Sequence, residues 1–262
     1  MWDNENINDK LNNFSSFFGQ LAEEFTPKDS YQIYRDKAFS ATDPIEAINF
    51  MKKSVAEGRK YISDSLFEEH KGKLWLAEDG RPFMESKKYL AQLYKNNGYI
   101  DLCINEYSEL LKLDTYDHLD IKSKLSPLLI NEKRYEDFHE LMDLYDKDES
   151  LSMLYSKALY YFYKGDNISS KRFIKKALDT NLYVAEYMIL MKKWDKAECS
   201  IEEEKEALEY CEQSIKGWAL MKDGLYWIMN EYFNYCSRNK INLNFSKETA
   251  TKRIEKFLYY IK

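Results

Sequence analysis

The amino-acid sequence predicts an all-α protein, a right-handed solenoid of paired helices with further helices at both ends. Turn formers are scarce, with 8 Gly and 4 Pro among 262 residues. A β-sandwich or barrel needs a turn signal about every 8–12 residues, and an α/β enzyme needs Gly-rich phosphate loops, so both classes are disfavoured. Hydrophobic residues make up 44 % of the chain, which supports a sizeable core. Apolar residues recur at helical spacing, and part of the chain repeats a two-helix unit.

Charge and cysteine use narrow the class of protein further. The chain has 39 Lys+Arg against 45 Asp+Glu, a formal net charge of −6, whereas proteins that bind nucleic acid through phosphates usually carry a basic excess. No apolar run approaches the ~20 residues of a membrane span, and the first residues lack a signal-peptide pattern. We therefore expect a cytoplasmic protein without a membrane span and with little affinity for nucleic acid. The four cysteines are widely spaced and form no CxxC pair, which predicts free thiols.

The first predicted element is an N-terminal helix that closes at Pro27. Its apolar residues alternate in steps of four and three: Ile7, Leu11, Phe14, Phe18, Leu21 and Phe25. Such a seam either packs on the rest of the chain or joins two copies, so the expected state is a monomer or a weak dimer through this helix.

A second helix is predicted to begin near Asp43. Thr42 or Asp43 can cap it, Pro44 suits the first helical position, and Glu46 completes a capping box. An apolar stripe then runs towards Glu69 through Ile45, Ile48, Val55, Ile62 and Leu66. The sequence from Asp79 to Pro82 predicts a turn in which Gly80 tolerates positive φ and Pro82 keeps Arg81 extended. Residues 1–83 are thus assigned to N-terminal flanking helices.

Residues 84–183 are predicted to form about three repeats of two helices each. The turn residues Gly98, Lys133 and Gly165 are 35 and 32 positions apart. The first helix of each repeat has a small residue where a neighbouring helix approaches closely: Ala91, Ser126 and Ala158. Gly98 and Gly165 are expected to end their helices in left-handed geometry. Pro127 lies inside the first helix of the middle repeat, so that helix is expected to bend or to begin late.

A period near 34 with two helices per unit is typical of tetratricopeptide arrays, and the chain resembles that family. Trp75 followed by Arg81-Pro82-Phe83-Met84, together with the closing segment from Ala177 to Val184, resembles bacterial relatives of the suppressor-of-tumorigenicity group of tetratricopeptide proteins. The resemblance covers roughly Trp75 to Gly224, and the middle repeat departs from the pattern. It implies a scaffold or adaptor without established chemistry. Some members carry a Cys-rich metal-binding tail, which this sequence lacks.

Residues 184–262 are assigned to C-terminal helices that cap the solenoid. Ser200 with Glu203 resembles a capping box that opens an acidic helix. An aromatic-rich helix is expected next, with Trp218, Leu225, Trp227, Ile228, Tyr232 and Phe233. Ser246 is expected to cap a final helix with Ala250, Ile254, Phe257, Leu258 and Ile261 on one face. The basic residues of that helix suit either a polar cap or contact with a membrane surface or nucleic acid.

The predicted partner site is the concave surface of the array. The helix over 151–164 is apolar nearly all round, and its stripe of Tyr155, Leu159 and Phe162 is expected to anchor a ligand. Burial of this stripe under terminal helices is the alternative. Lys88, Gln92 and Lys95 in the first repeat would meet acidic groups of the ligand.

No pattern in the sequence predicts chemistry. The three histidines lack metal-ligand spacing, and no phosphate loop or nucleophile motif is present, so no catalytic residue, metal or cofactor is expected. The predicted function is a non-catalytic scaffold or adaptor that binds a protein or peptide. The alternative is a regulatory or catalytic subunit whose activity depends on a partner, for example in a defence or nucleic-acid-associated system.

Overall fold

A computed structural model describes residues 28–261 and is all-α, as predicted. Within that range the backbone forms α-helices and short 3₁₀ turns but no strand; a single bridge pairs Lys73 with Asp114. The chain divides into two compact units between Leu119 and Asp120. This division falls inside the predicted repeat segment, and the three-part division at residues 83 and 183 stays a prediction. The N-terminal helix and its dimer seam lie outside the described residues.

The described part of the first unit has five α-helices. They are α1 (Lys28–Ser40), α2 (Pro44–Lys60), α3 (Asp64–Glu69), α4 (Arg81–Asn96) and α5 (Ile100–Leu113), with 3₁₀ turns at Leu74–Leu76 and Glu78–Gly80. Helix α2 packs on α1 and α4, and α4 packs on α5. Met51, Ala91 and Cys103 are fully buried in this core.

The predicted start of α2 is confirmed. Asp43 is the N-cap, its carboxylate accepts a hydrogen bond of 2.9 Å from the Glu46 amide, and Pro44 is the first helical residue. The helix ends at Lys60 rather than continuing, because Ser63 caps the separate helix α3.

The prediction of an apolar stripe along α2 is only partly confirmed. Ile48 is buried, but Ile45 is 61 % exposed. The buried face is formed by small and flexible residues, Ala47, Met51 and Gly58 among them. At Gly58 an added Cβ would lie 3.1 Å from the Phe83 Cα, so the backbones of α2 and the start of α4 approach closely.

The turn predicted before α4 is wrong in its geometry. Gly80 has φ −78°, and Arg81 is helical, with φ −59° and ψ −48°, instead of extended. Glycine is needed at position 80 for space, since an added Cβ would lie 2.5 Å from the Leu74 carbonyl oxygen. Arg81 is the first residue of α4, so Pro82 costs no intrahelical hydrogen bond.

The second unit has eight α-helices within residues 120–261. They are α6 (Lys122–Asn131), α7 (Tyr135–Leu144), α8 (Leu151–Tyr163), α9 (Asn167–Thr180), α10 (Tyr183–Met188), α11 (Glu202–Leu220), α12 (Gly224–Arg238) and α13 (Lys247–Ile261). Helix α8 packs between α6 and α9, and α12 packs on α9, α10 and α13. The long helix α11 contacts α6, α8 and α10, so three helices share one covering helix.

Five helices end in the same left-handed cap: α4, α6, α8, α10 and α12. The capping residues with positive φ are Gly98, Lys133, Gly165, Leu190 and Lys240. At Gly98 the cap amide bonds to the carbonyl three residues back, and the next amide bonds to the carbonyl five residues back; the other four ends repeat both bonds. This is the Schellman arrangement, which satisfies the last carbonyls of a helix. The left-handed geometry predicted at Gly98 and Gly165 is confirmed, and the non-glycine caps share it.

The small residues predicted at close helix contacts are all buried. Ala91, Ser126 and Ala158 each have no exposed surface. Helix α6 begins only at Lys122 and contains Pro127, which agrees with the expectation of a helix that begins late. The Ser126 hydroxyl oxygen is buried without a hydrogen-bond partner.

Two expectations for the C-terminal helices need correction. The residue before α11 is Ile201, and Ser200 bonds to Glu204 instead of Glu203: the Glu204 carboxylate accepts from the Ser200 amide at 3.1 Å. Trp218 belongs to α11 rather than to the aromatic-rich helix α12, which begins at Gly224.

The predicted start of the last helix is confirmed. Ser246 Oγ accepts a hydrogen bond of 3.2 Å from the Thr249 amide. Ala250 and Ile254 are buried as expected, whereas Ile261 is 38 % exposed. None of the helices in residues 28–261 is both long and apolar enough to cross a membrane.

Candidate functional site

The predicted groove anchors on α8 are core residues, and the expectation that they face a ligand is wrong for two of them. Tyr155 and Leu159 have no exposed surface. The Tyr155 hydroxyl donates a hydrogen bond of 2.6 Å to the Asn181 carbonyl, and its ring lies 5.6 Å from the Tyr210 ring of α11. Phe162 is half-buried and stacks on Trp227 of α12 at 4.5 Å. The C-terminal helices therefore cover this stripe, which is the alternative that the sequence left open.

Helix α11 occupies the shared face of α6, α8 and α10 through specific polar contacts. The Asn131 side chain of α6 donates to the Gln213 carbonyl and accepts from the Gly217 amide at 2.6 Å. The Asn131 amide thus bonds to both the carbonyl and the amide that an α-helix would pair between Gln213 and Gly217. An added Cβ at Gly217 would lie 2.9 Å from the Ile130 side chain, so glycine allows this close approach.

The predicted polar residues on α4 lie in the first unit and are partly exposed. Lys88 Nζ donates a hydrogen bond of 2.9 Å to the Leu119 carbonyl, which ties this side chain to the chain's own backbone. Gln92 and Lys95 lie one and two turns further along the same helix. The structure places these three residues on one helix of the first unit.

An open cleft lies between α9 and α12 in the second unit. It encloses about 400 Å³ and is lined by four cationic side chains and one carboxylate. These are Lys171, Arg172, Lys175 and Arg238, with Glu231 as the carboxylate. The four cations are exposed, and Ile174 and Leu178 form a buried apolar floor. We call this site the basic cleft.

The charges of the basic cleft are not neutralised within residues 28–261. Lys171, Lys175 and Arg238 form no ion pair with any described carboxylate. Arg172 lies over the Phe173 ring at 4.7 Å, which orients its guanidinium. Uncompensated cations above an apolar floor attract an anionic group that is joined to an aliphatic one.

One hydrogen bond joins the two walls of the cleft. The Tyr235 hydroxyl of α12 donates at 2.7 Å to the Asp179 carboxylate of α9. This bond, together with burial, raises the pKa of Tyr235 to about 12, so the phenol stays protonated at neutral pH. It also holds the Asp179 carboxylate on the Tyr235 hydroxyl.

Three of the four thiols are unsuited to nucleophilic chemistry. Burial raises the pKa of Cys103 to about 12 and raises that of Cys211 well above its usual value. Burial also raises the pKa of Cys236. Reactive thiols need the opposite shift, because the thiolate is the nucleophile. The four cysteines are free, as predicted.

The histidines are held by local contacts. His118 Nδ1 lies 2.9 Å from the buried Asp114 carboxylate, and its ring stacks on Trp75. His70 Nδ1 lies 3.2 Å from the Leu66 carbonyl, and His139 is exposed near Asp143. In the part of the chain that the structure describes, no group of three or more His, Cys, Asp or Glu is placed to hold a metal ion.

One feature of the sequence points to the basic cleft. Four cations occur within six residues of α9, at Lys171, Arg172, Lys175 and Lys176. Lys176 pairs with Glu149, whereas the other three line the cleft. Arg238, the fourth cation of the cleft, comes from a distant segment. Comparisons with protein-family models, with curated proteins and with solved structures find no match.

Proposed function

We propose that the chain is a non-catalytic scaffold of tetratricopeptide-like helix pairs, and that it binds an acidic segment of a protein partner in the basic cleft. The observation that carries the proposal is the set of unpaired cations above the apolar floor of that cleft. The five identical helix caps and the buried small residues of α4, α6 and α8 support the repeat interpretation. The raised pKa values of the buried thiols of Cys103, Cys211 and Cys236 count against nucleophilic chemistry at those three residues.

The location of the partner site differs from the one that the repeat pattern predicts. In the second unit α11 covers the shared face of α6, α8 and α10. A partner therefore cannot bind to that face. The basic cleft is formed instead by α9, the second helix of a predicted pair, and by α12. A partner would place its carboxylates near Lys171, Lys175 and Arg238 and its aliphatic side chains on Ile174 and Leu178.

A fluorescent peptide of alternating Glu and Leu residues tests this proposal. We expect the full chain to bind it with an affinity that falls as salt is added, because the contacts are exposed ion pairs. The double variant Lys175→Glu/Arg238→Glu should weaken binding by about tenfold or more, since it turns two attractions into repulsions. Fluorescence anisotropy measures both effects.

A matched control separates the cleft from the general charge of the protein. Lys147 and Lys222 are exposed lysines of the same unit that lie outside the basic cleft. The variant Lys147→Glu/Lys222→Glu changes the net charge equally and should bind the peptide as well as the wild type. Equal losses in the two double variants, or no loss in either, would exclude the basic cleft as the partner site.

A further inference from the structure

The basic cleft carries more positive charge than one carboxylate can neutralise. Its lining has four cationic side chains against the single carboxylate of Glu231, which leaves an excess of three positive charges. This excess lies around one opening of about 400 Å³. A ligand that brings two negative charges in one compact group therefore suits the cleft better than a ligand that brings one.

Two of the four cations are guanidinium groups, and they come from the two walls of the cleft. Arg172 belongs to α9, and Arg238 is the last residue of α12. A guanidinium presents its N–H donors in a fixed fork that matches two oxygens of a carboxylate or phosphate. A carboxylate has two oxygens and fills one fork, whereas the three terminal oxygens of a phosphate monoester can accept from two forks together. The pair of arginines therefore favours a phosphate.

The Arg172 guanidinium is oriented before a ligand arrives. Its central carbon lies 4.7 Å from the centre of the Phe173 ring. That ring stacks on Tyr161 of α8 at 5.4 Å, with an angle of 6° between the two planes. The guanidinium thus rests on an aromatic surface that two helices hold in place. A donor group that is already oriented loses less freedom on binding, which strengthens its contact with the ligand.

We propose that the basic cleft binds a phosphorylated serine or threonine of its protein partner in preference to a carboxylate. This inference rests on the proposed function, because it assigns the chemistry of the acidic group that the same cleft takes. The phosphate lies between Arg172 and Arg238, and the two lysines of α9 add positive charge. An aliphatic side chain next to the phosphorylated residue packs on the buried floor of Ile174 and Leu178.

A protein partner fits the cleft better than a nucleic acid does. A phosphodiester carries one negative charge per phosphate, whereas a phosphate monoester carries about 1.5–2 at neutral pH. The whole chain has a formal net charge of −6, which repels an extended polyanion outside the cleft. The apolar floor also suits an aliphatic side chain rather than a sugar.

The test uses the full chain and three fluorescent peptides that share one short frame of Gly and Leu. The phosphopeptide has one phosphoserine and one serine, the diglutamate peptide has two glutamates in their place and nearly the same charge, and the neutral peptide has two serines. We expect the phosphopeptide to bind about tenfold more tightly than the diglutamate peptide, the effect of about one additional hydrogen bond to a charged group. The neutral peptide should not saturate. Fluorescence anisotropy at fixed ionic strength measures all three.

The phosphopeptide should also show a pH dependence that the diglutamate peptide lacks. The second pKa of a phosphate monoester is about 6, so its dianionic fraction falls about fourfold between about pH 7.5 and about pH 5.5, and the affinity should fall equally. Glutamate carboxyls, with a pKa of about 4.3, stay ionised in this range. The charged and titratable groups around the cleft, which are its four cations, Glu231, Tyr235 and the Asp179 to which Tyr235 bonds, meet both peptides alike.

A variant that keeps the charge separates the guanidinium forks from the positive field. Arg172→Lys/Arg238→Lys alters two exposed side chains and should melt as the wild type does. It should weaken the phosphopeptide by about tenfold and the diglutamate peptide by at most about twofold, because lysine lacks the fork. The matched control is Arg134→Lys, which makes the same exchange outside the cleft, where Arg134 pairs with Asp137. It should leave both affinities unchanged.

The outcomes distinguish this inference from the proposed function. Equal affinity for the two charged peptides, with both lost in Lys175→Glu/Arg238→Glu, would overturn the preference for phosphate and leave the proposed function standing. Binding of neither peptide would overturn both. Two further probes bear on the source of the phosphate. Inorganic phosphate that displaces the phosphopeptide at equal concentration, or an oligothymidine that binds more tightly than the phosphopeptide, would overturn the assignment of a phosphorylated protein partner.

Discussion

Lys133 shows that the position of a residue in the helix cap matters more than its type. It occupies the same cap as Gly98 and Gly165, with φ 57° against 77° and 74°. A residue with a Cβ is strained in left-handed geometry by roughly 1–2 kcal/mol, whereas glycine is not. The spacing of the repeats alone indicated a turn at Lys133, although the left-handed position after a helix is usually occupied by glycine.

Replacing Lys133 by glycine is therefore expected to stabilise the protein. Relief of strain outweighs the greater flexibility of glycine in the unfolded chain, so Lys133→Gly should raise the free energy of unfolding by about 0.5–1 kcal/mol. Urea denaturation measures the change. Gly98→Ala is the reciprocal control and should lower stability by about 1 kcal/mol. Destabilisation by Lys133→Gly would show that its side chain makes a contact that outweighs the strain.

The lowered pKa of Glu204 makes the stability of the protein depend on pH. Its side chain bonds to Lys192 and to the amide and hydroxyl of Ser200. The hydrogen bond from Lys192 is the main cause that lowers the pKa of this carboxyl below its usual 4.5. The unfolded state binds the proton more readily, so the contribution is present above about pH 4.5 and is lost as the pH falls further.

The variant Glu204→Gln should lose about 1–2 kcal/mol at neutral pH and much less at low pH, where the wild-type carboxyl is protonated too. Thermal melts between neutral and acidic pH measure the convergence of the two proteins. The neighbour Glu203 is exposed, and Glu203→Gln should follow the wild type throughout. Parallel curves for wild type and Glu204→Gln would contradict the assigned pKa shift.

At the scale of elements, local signals were predictable and distant contacts were not. The caps of α2 and α13 depend on Asp43 and Ser246 and on amides three residues away. The course of α11 depends on contacts with α6, and the Asn131 and Gly217 positions are 86 residues apart. An apolar excess on α8 does not reveal whether a ligand or another helix covers it. The groove prediction failed for Tyr155 and Leu159 for that reason.

The candidate site was missed for a related reason. The cations of the basic cleft come from α9 and from the end of α12, which are far apart in the chain. Helical periodicity places Lys171 and Lys175 on one face of α9. It does not say that α12 brings Arg238 to the same face, because that depends on tertiary packing.

The joint between α6 and α11 can be tested with one substitution. Asn131→Asp replaces the amide donor that faces the Gln213 carbonyl by an oxygen, while the acceptor for the Gly217 amide is retained. We expect a loss of about 2–3 kcal/mol, since a charged oxygen is placed against a carbonyl in a half-buried site. Chemical denaturation measures it. Asn105→Asp makes the same change at an exposed site of α5 and should be nearly neutral; equal effects would contradict the role of Asn131.

At the scale of the whole molecule, each compact unit has its own core. In the second unit Tyr155, Trp218 and Tyr232 are fully buried, and each has an aromatic contact within that unit. The shared cover of α6, α8 and α10 by α11 lies entirely within residues 120–262. This part of the chain therefore contains the contacts that a cooperative domain needs.

We expect residues 120–262, expressed alone, to give a helical far-ultraviolet circular dichroism spectrum and one cooperative thermal transition. The control is Trp218→Ala in the same fragment, which should cost about 3–5 kcal/mol because it empties a fully buried site. A gradual melt of the unmutated fragment would show that this unit cannot fold by itself.

The covering helix also sets the order of events during synthesis. Asn131 meets its partner at Gly217 only after 86 further residues have been made. At about 5–20 residues per second, the part of α6 around Asn131 stays without its α11 contact for about 4–17 s. During that interval the nascent chain presents a hydrophobic surface that the finished protein hides. The ribosome-bound form of this chain, more than the mature one, is where we expect chaperones to bind.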